Sequence, residues 1–278
     1  MDFLLEQIVG LLSSTPPPIA YLTEKLTPVA LSLGLTTLPE NLPVFLWSFF
    51  LFSVVHQVLA PLICSLSVNG WETMGRKARN NWAIHVVSQI HAFIIVPLAL
   101  RAIESPELDA DRAFGTDRSS SIVAAVASGY FIWDTLDAIV NFVDLGFVVH
   151  GAACSAIYML SFKPFLAYYA SRCLLWEAST IFLNNHWFLD KTGRTGSTLQ
   201  LINGGFLLFT FLGVRIVYGG FTSYNFFQTL AQVKDEIPLA YVLVYGGGNV
   251  VLNGLNWFWF TKMVAALRKR FNTGSKTT

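Results

Sequence analysis

The chain has 278 residues, 54% of them hydrophobic and only 13% charged, with 18 Lys and Arg against 17 Asp and Glu. A water-soluble domain carries about 25% charged residues, so this composition excludes one. The net charge of +1 gives no footing for a nucleic-acid partner. Cys64, Cys154 and Cys173 all fall inside apolar runs, so no disulfide framework is expected. The expected fold is all-α, an integral multi-pass transmembrane helical protein.

Residues 1–41 form an N-terminal segment of their own. Phe3 to Leu12 is apolar but short, and no basic residues precede it, so a cleaved signal peptide is not expected. Pro16-Pro17-Pro18, Pro28 and Pro39 divide the remainder of this segment into short interfacial pieces. Residues 42–74 hold a first transmembrane helix and its loop, 75–266 the main domain, and 267–278 a basic tail. Seven apolar segments, 43–66, 82–101, 119–140, 145–162, 164–183, 199–222 and 238–261, each approach the ~20 residues that a bilayer core requires. Segments three to five are joined only by Asn141–Asp144 and Lys163, which predicts antiparallel neighbours, with Pro164 as first residue of the fifth helix.

Seven crossings place ten basic residues on one side (Arg76, Lys77, Arg79, Lys191, Arg194, Lys262, Arg268, Lys269, Arg270, Lys276) and six on the other (Lys25, Arg101, Arg112, Arg118, Lys163, Lys234). The richer side is expected to be cytosolic, leaving the N-terminus lumenal and the C-terminus cytosolic.

Polar residues inside apolar spans are costly, at least ~2.5–3.5 kcal/mol for a charge, and mark protein interiors or sites. The stretch Phe165 to Lys191 carries the most. At about 100° per residue, Arg172, Ser179 and His186 share one stripe, and Glu177, Thr180 and Asn184 share a second. Either a ligand site or a buried Arg–Glu network holding helices together would explain them. In segment two, His85 and Gln89 share a face and His91 points away. In segment three, Tyr130, Asp134, Asp137 and Asn141 make a polar seam that hints at an internal cavity. In segment four, His150 precedes the small residues Gly151 to Ala156, which permit close helix approach. Arg215 lies on the side of Phe211 and Leu208, while Asn249, Asn253 and Asn256 form a third seam that reads first as helix glue. Gly246-Gly247-Gly248 reads as close packing or a kink. No GxSxG, GxxxxGK[ST] or HExxH motif is present, and the His, Asp and Cys spacing offers no metal site.

Five ordered motifs resemble the TLC-domain family (TRAM, Lag and CLN homology), most of all its small TMEM-type members of a fungal-like branch. They are Gly129-Tyr130-Phe131-Ile132-Trp133-Asp134, then His150, then Arg172-Cys173-Leu174-Leu175-Trp176-Glu177-Ala178-Ser179-Thr180 with Phe182-Leu183-Asn184-Asn185-His186-Trp187-Phe188, then Phe211-Leu212-Gly213-Val214-Arg215-Ile216, and finally Leu255 to Val264. His186 stands where the family usually has Arg.

The resemblance spans roughly 75–270. It implies a helical ring around a lipid-accessible tunnel, usually in the endoplasmic reticulum, with membrane lipid as partner: an acyl chain, a sphingolipid or a phospholipid. Tyr130, Asp134, Asp137, Arg172, Ser179, Thr180, Asn184, His186, Arg215, Asn253 and Asn256 are then candidates for the tunnel or its polar network.

Among family members, the ceramide synthases use a His-His pair and an acidic HDxSDxxLE element. Here only His150 remains of the pair, and Thr180 and Asn184 replace acidic positions. The expected function is therefore lipid binding or sensing in membrane lipid homeostasis. The alternatives are an acyl-CoA-dependent acyltransferase using His150 with Glu177, for which acyl-CoA would be a substrate and no cofactor is implied, and a translocation or cargo-sorting factor with an unknown protein partner. Arg268-Lys269-Arg270 reads as positive-inside anchoring.

Overall fold

The computed structural model describes residues 7, 10, 11 and 13–274, with side chains as far as Lys269. Most of the apolar run 3–12, the Arg270 side chain and residues 275–278 lie outside the described residues. Every regular element described is helical.

Helix α1, Pro17–Ser32, starts with proline at its first position, where the missing N–H costs nothing, and runs through Pro28. Helix α2, Leu38–Ser67, holds Pro39 in its first turn and contains a π-turn at Val55–Leu59. The prolines before residue 43 thus start, or lie within, two substantial helices, where the sequence predicts short pieces. Helix α3 is Arg76–Ala102, and the short α4 is Pro106–Ala110.

Helix α5, Arg118–Val140, is fixed at its start by a capping box. Asp117 accepts from the Ser120 backbone at 2.8 Å, and the Ser120 hydroxyl accepts from the Asp117 backbone at 3.2 Å. Helix α6, Leu145–Leu160, is capped by Asp144, which accepts from the Gly146 N–H at 2.7 Å.

The fifth apolar segment is not one α-helix. It comprises α7, Ala167–Cys173, a 3-10 stretch, Leu174–Glu177, and α8, Ala178–Lys191. Pro164 lies outside it. The buried Leu166 takes a left-handed conformation (φ 57°), and its N–H donates to Ala113 O at 2.7 Å, so the chain turns there before helix can begin. Helix α9, Thr198–Val233, contains a π-turn at Phe211–Val217. Helix α10 covers residues 239–274, with a π-turn at Val242–Gly246.

Among the described residues, four helices are long and apolar enough to cross a membrane, namely α2, α3, α5 and α9, and α6 is a shorter apolar helix. Large apolar side chains such as Leu62, Phe93, Ile139, Phe209, Phe221 and Val250 project outward, a surface suited to lipid and costly in water. The chain is an integral membrane protein.

The α5 helix is the most buried of the four. On one side α2 approaches so closely that a Cβ on Gly129 would lie 2.7 Å from Ser48 Cβ and 2.8 Å from both Phe45 O and Phe49 N. Ser48 Oγ donates across this crossing to Val126 O at 2.7 Å. On the other side, Gly151 lets α6 lie against Thr135, as the small-residue run predicts. Contacts then close a circuit from α5 to α6, α10, α9, α8 and α3, and back to α5, with α2 outside.

Two ends are defined by contacts. Arg76 donates to Asn141 at 3.3 Å at one end. At the other, Thr37 bonds Phe162 O, and Arg172 bonds Asp109.

Candidate functional site

The polar residues of the fifth segment converge on an arginine from another helix. Arg215 sits in the π-turn of α9 and is 6% exposed. Its Nε donates to Trp176 O at 3.2 Å and Ser179 Oγ at 2.9 Å. Its two terminal nitrogens reach Asn256 Oδ1 (3.2 Å), Glu177 Oε1 (3.2 Å) and Thr180 Oγ1 (3.0 Å). The guanidinium also lies 5.2 Å from the Phe211 ring centroid. A buried charge persists only when paired and hydrogen-bonded, and both conditions are met.

This overturns the two-stripe pattern expected for residues 172–186. The 3-10 stretch turns about 120° per residue and brings Glu177 round beside Ser179 and Thr180. Arg172 is not part of the cluster. It lies at the opposite end, bonded to Tyr168 O, Ile103 O and Asp109 Oδ1 and packed 3.4 Å from the Tyr168 ring centroid. Asn184 faces α3, its Oδ1 accepting from His85 Nδ1 at 2.8 Å and its Nδ2 donating to Ser88 Oγ. His186 packs toward Gly204 of α9. Asn253 joins Asn249 and Ser223, so one Asn of that seam ties α10 to α9 while Asn256 serves Arg215.

The seam on α5 also divides. Tyr130 stacks face to face on His91 at 3.6 Å, so His91 points into the core, fully buried. Asp134 borders the α6 contact at Gly151. Asp137 belongs to a separate network, accepting from Asn80 at 3.2 Å and Asn141 at 2.8 Å, with His56 Nε2 at 3.6 Å. His56, set in the π-turn of α2, is not singled out by the sequence, since a one-residue helical insertion leaves no periodic signature.

Beside the Arg215 cluster is a narrow cavity of about 50 Å³, below the ~300–1,000 Å³ usual for ligand pockets, so any occupant larger than a few waters requires its walls to part. His150, Glu177 and Arg215 mark one end of it. Tyr158, Tyr169, Phe226 and Tyr245 mark the other. From His150 to Tyr158 along α6 is about 12 Å at 1.5 Å per residue, so the cavity is elongated, polar at one end and aromatic at the other. His150 Nδ1 and Tyr245 Oη, both on lining residues, have no hydrogen-bond partner. His150 Nε2 lies 3.9 Å from Cys154 Sγ. The Glu177 carboxylate is bonded to Arg215, not to His150. Among the described residues no three His, Cys, Asp or Glu side chains gather as metal ligands.

With this geometry in hand, comparison with known proteins is decisive on family. The model of the TLC domain matches residues 81–265, two thirds of the chain. The chain belongs to the TLC-domain family. It is similar to an uncharacterized TLC domain-containing protein of Schizosaccharomyces pombe, 36% identical over 94% of this chain and 90% of that one. It is 29% identical to topoisomerase I damage affected protein 4 of Saccharomyces cerevisiae (81% and 83% covered) and 27% identical to TLC domain-containing protein 4 of Homo sapiens (78% and 85%). No solved structure matches. All five motifs of this TLC-domain chain lie largely inside the matched range, and Arg215, Glu177 and Asn256 come from three of them.

Proposed function

We propose that this TLC-domain protein binds the acyl part of a membrane lipid in the cavity beside Arg215 and serves membrane lipid homeostasis as a binding or sensing protein. The observation that carries the reading is the cavity itself, elongated, apolar along most of its lining and furnished with buried polar atoms that lack partners. Such atoms cost about 1–3 kcal/mol each when left unsatisfied, and a lipid carbonyl or hydroxyl would relieve them. A catalytic His150–Glu177 pair is the second reading, favoured by the unpartnered Nδ1 of His150 but opposed by the Arg215 bond that holds Glu177.

The proposed setting is the endoplasmic reticulum, with the N-terminus lumenal and the C-terminus cytosolic. Seven crossings would result if α6, the broken segment 167–191 and α10 each span beside the four long helices. Grouping of the 76–79 and 141–144 segments at one end supports that alternation.

The test is mass spectrometry of lipid released on denaturing purified protein, beside Ala170→Val, which narrows the cavity from α7. Retained acyl lipid lost in the variant is expected, and equal retention would refute binding in the cavity. Incubation with long-chain acyl-CoA separates the readings. An acyl-sized mass gain absent in His150→Ala would favour the transferase.

A further inference from the structure

A second hollow opens on the outer surface at the basic end of the molecule, separate from the internal cavity. It has a volume of about 570 Å³ and is bounded by the π-turn of α2, the first two turns of α3 and the last turn of α5. Its floor includes His56, Asn80 and Asn141, tied together by Asp137 behind them. Asn80 bonds His56 Nε2 at 2.9 Å and Asp137 at 3.2 Å, while Gln57 bonds His56 Nδ1 at 2.8 Å. Both ring nitrogens of His56 are therefore occupied, and the ring holds the floor together.

The free cationic capacity lies in the wall. Arg76 is exposed and has only a 3.3 Å bond to Asn141 to orient it. Arg79 donates one terminal nitrogen to Glu72 O and lies 5.5 Å from the Trp71 ring centroid, but its buried Nε has no partner. Helix α3 begins here without a side-chain cap, which adds the positive end of its dipole.

On either flank the protein is apolar and outward-facing, with Val58 and Leu62 on α2 and Leu136, Ile139 and Val140 on α5. A cationic recess between two outward-facing apolar stripes has the charge and form of a headgroup seat.

We propose that this groove binds the phosphate of a glycerophospholipid from the adjoining leaflet between Arg76 and Arg79, with the acyl chains lying on the flanks of α2 and α5. The proposal does not rest on the internal cavity, and its test separates the two.

Full-length protein, delipidated in detergent, is titrated with dioleoyl phosphatidate, dioleoylglycerol and glycerol 3-phosphate and read by native mass spectrometry. Phosphatidate should bind at least tenfold more weakly to R76Q/R79Q, and several-fold more weakly to R76Q alone, whose exposed side chain does not bear on folding. Binding should change less than twofold in R194Q, an exposed arginine near the same end, and the loss caused by R76Q/R79Q should persist within twofold when A170V narrows the internal cavity. Equal loss in R194Q would show diffuse surface charge only, and disappearance of the arginine effect on the A170V background would assign the lipid to the internal cavity. On that background, glycerol 3-phosphate binding as tightly would indicate a soluble phosphate ligand, and dioleoylglycerol binding as tightly would indicate contact with the tails alone. Any of these four results, or no change in either arginine variant, overturns the proposal.

Discussion

Replacing Arg215 by Met keeps an unbranched apolar stem and removes every donor, which makes it the sharpest test of the cluster. Five hydrogen bonds are lost, to Trp176, Ser179, Asn256, Glu177 and Thr180. Interhelical hydrogen bonds in membrane proteins average ~0.6 kcal/mol each by double-mutant cycle, so five give about 3 kcal/mol. An independent route reaches the same range, because removing one partner of a buried ion pair costs about 3–5 kcal/mol by leaving the other charge uncompensated. Much of that cost belongs to the Glu177 carboxylate, so E177Q placed on R215M should recover about 1–2 kcal/mol. SDS-titrated unfolding in mixed micelles, followed by tryptophan fluorescence, measures both variants and the cycle. A loss below about 1 kcal/mol for R215M, or strict additivity with E177Q, would refute a stabilising pair at this depth.

Two further substitutions test the packing around α5. His91 is fully buried with neither ring nitrogen hydrogen-bonded, so H91F, which preserves the stack on Tyr130, should be neutral or stabilising by about 1–2 kcal/mol in the same unfolding assay. H91A, which discards the stack and opens a void, should instead destabilise by about 2 kcal/mol or more. At Gly129 an added methyl meets the backbone of α2, which cannot rotate away, so G129A should cost about 1–3 kcal/mol and lower the melting temperature, and an unchanged melt would show that α2 can slide off α5 freely.

The helical class, the starts of α5 and α6 close to residues 119 and 145, and the close approach at Gly151 are legible in the sequence because each depends on local residues. Apolar length marks a span and its ends, and missing side-chain bulk permits contact. The partner of Glu177 is not legible in the same way. Residues 165–191 hold one arginine, Arg172, which periodicity puts on a different stripe from Glu177 and which lies at the far end of the fold, whereas the true partner, Arg215, is 38 residues further on. Two departures from α geometry hide it, the 3-10 stretch before Ala178 and the π-turn around Arg215, since a helical wheel assumes a constant 100° step. His56 escapes notice for the same reason. The seam from Tyr130 to Asn141 is one polar face, as its spacing predicts, yet its members serve different neighbours, because a face 11 residues long passes from the core to the membrane boundary.

Among the described residues, each of three π-turns carries an inward polar residue, His56, Arg215 or Tyr245, and the last two lie in neighbouring helices on one cavity. A π-turn is a surplus of one residue in the winding of a helix, and the surplus is not bound to one place in the way a proline kink is. Passing it along by a turn swings the intervening side chains through about 100° while the helix ends stay where they are. A shift of that surplus within α9 or α10 would change which residues line the cavity without parting either helix from its neighbours.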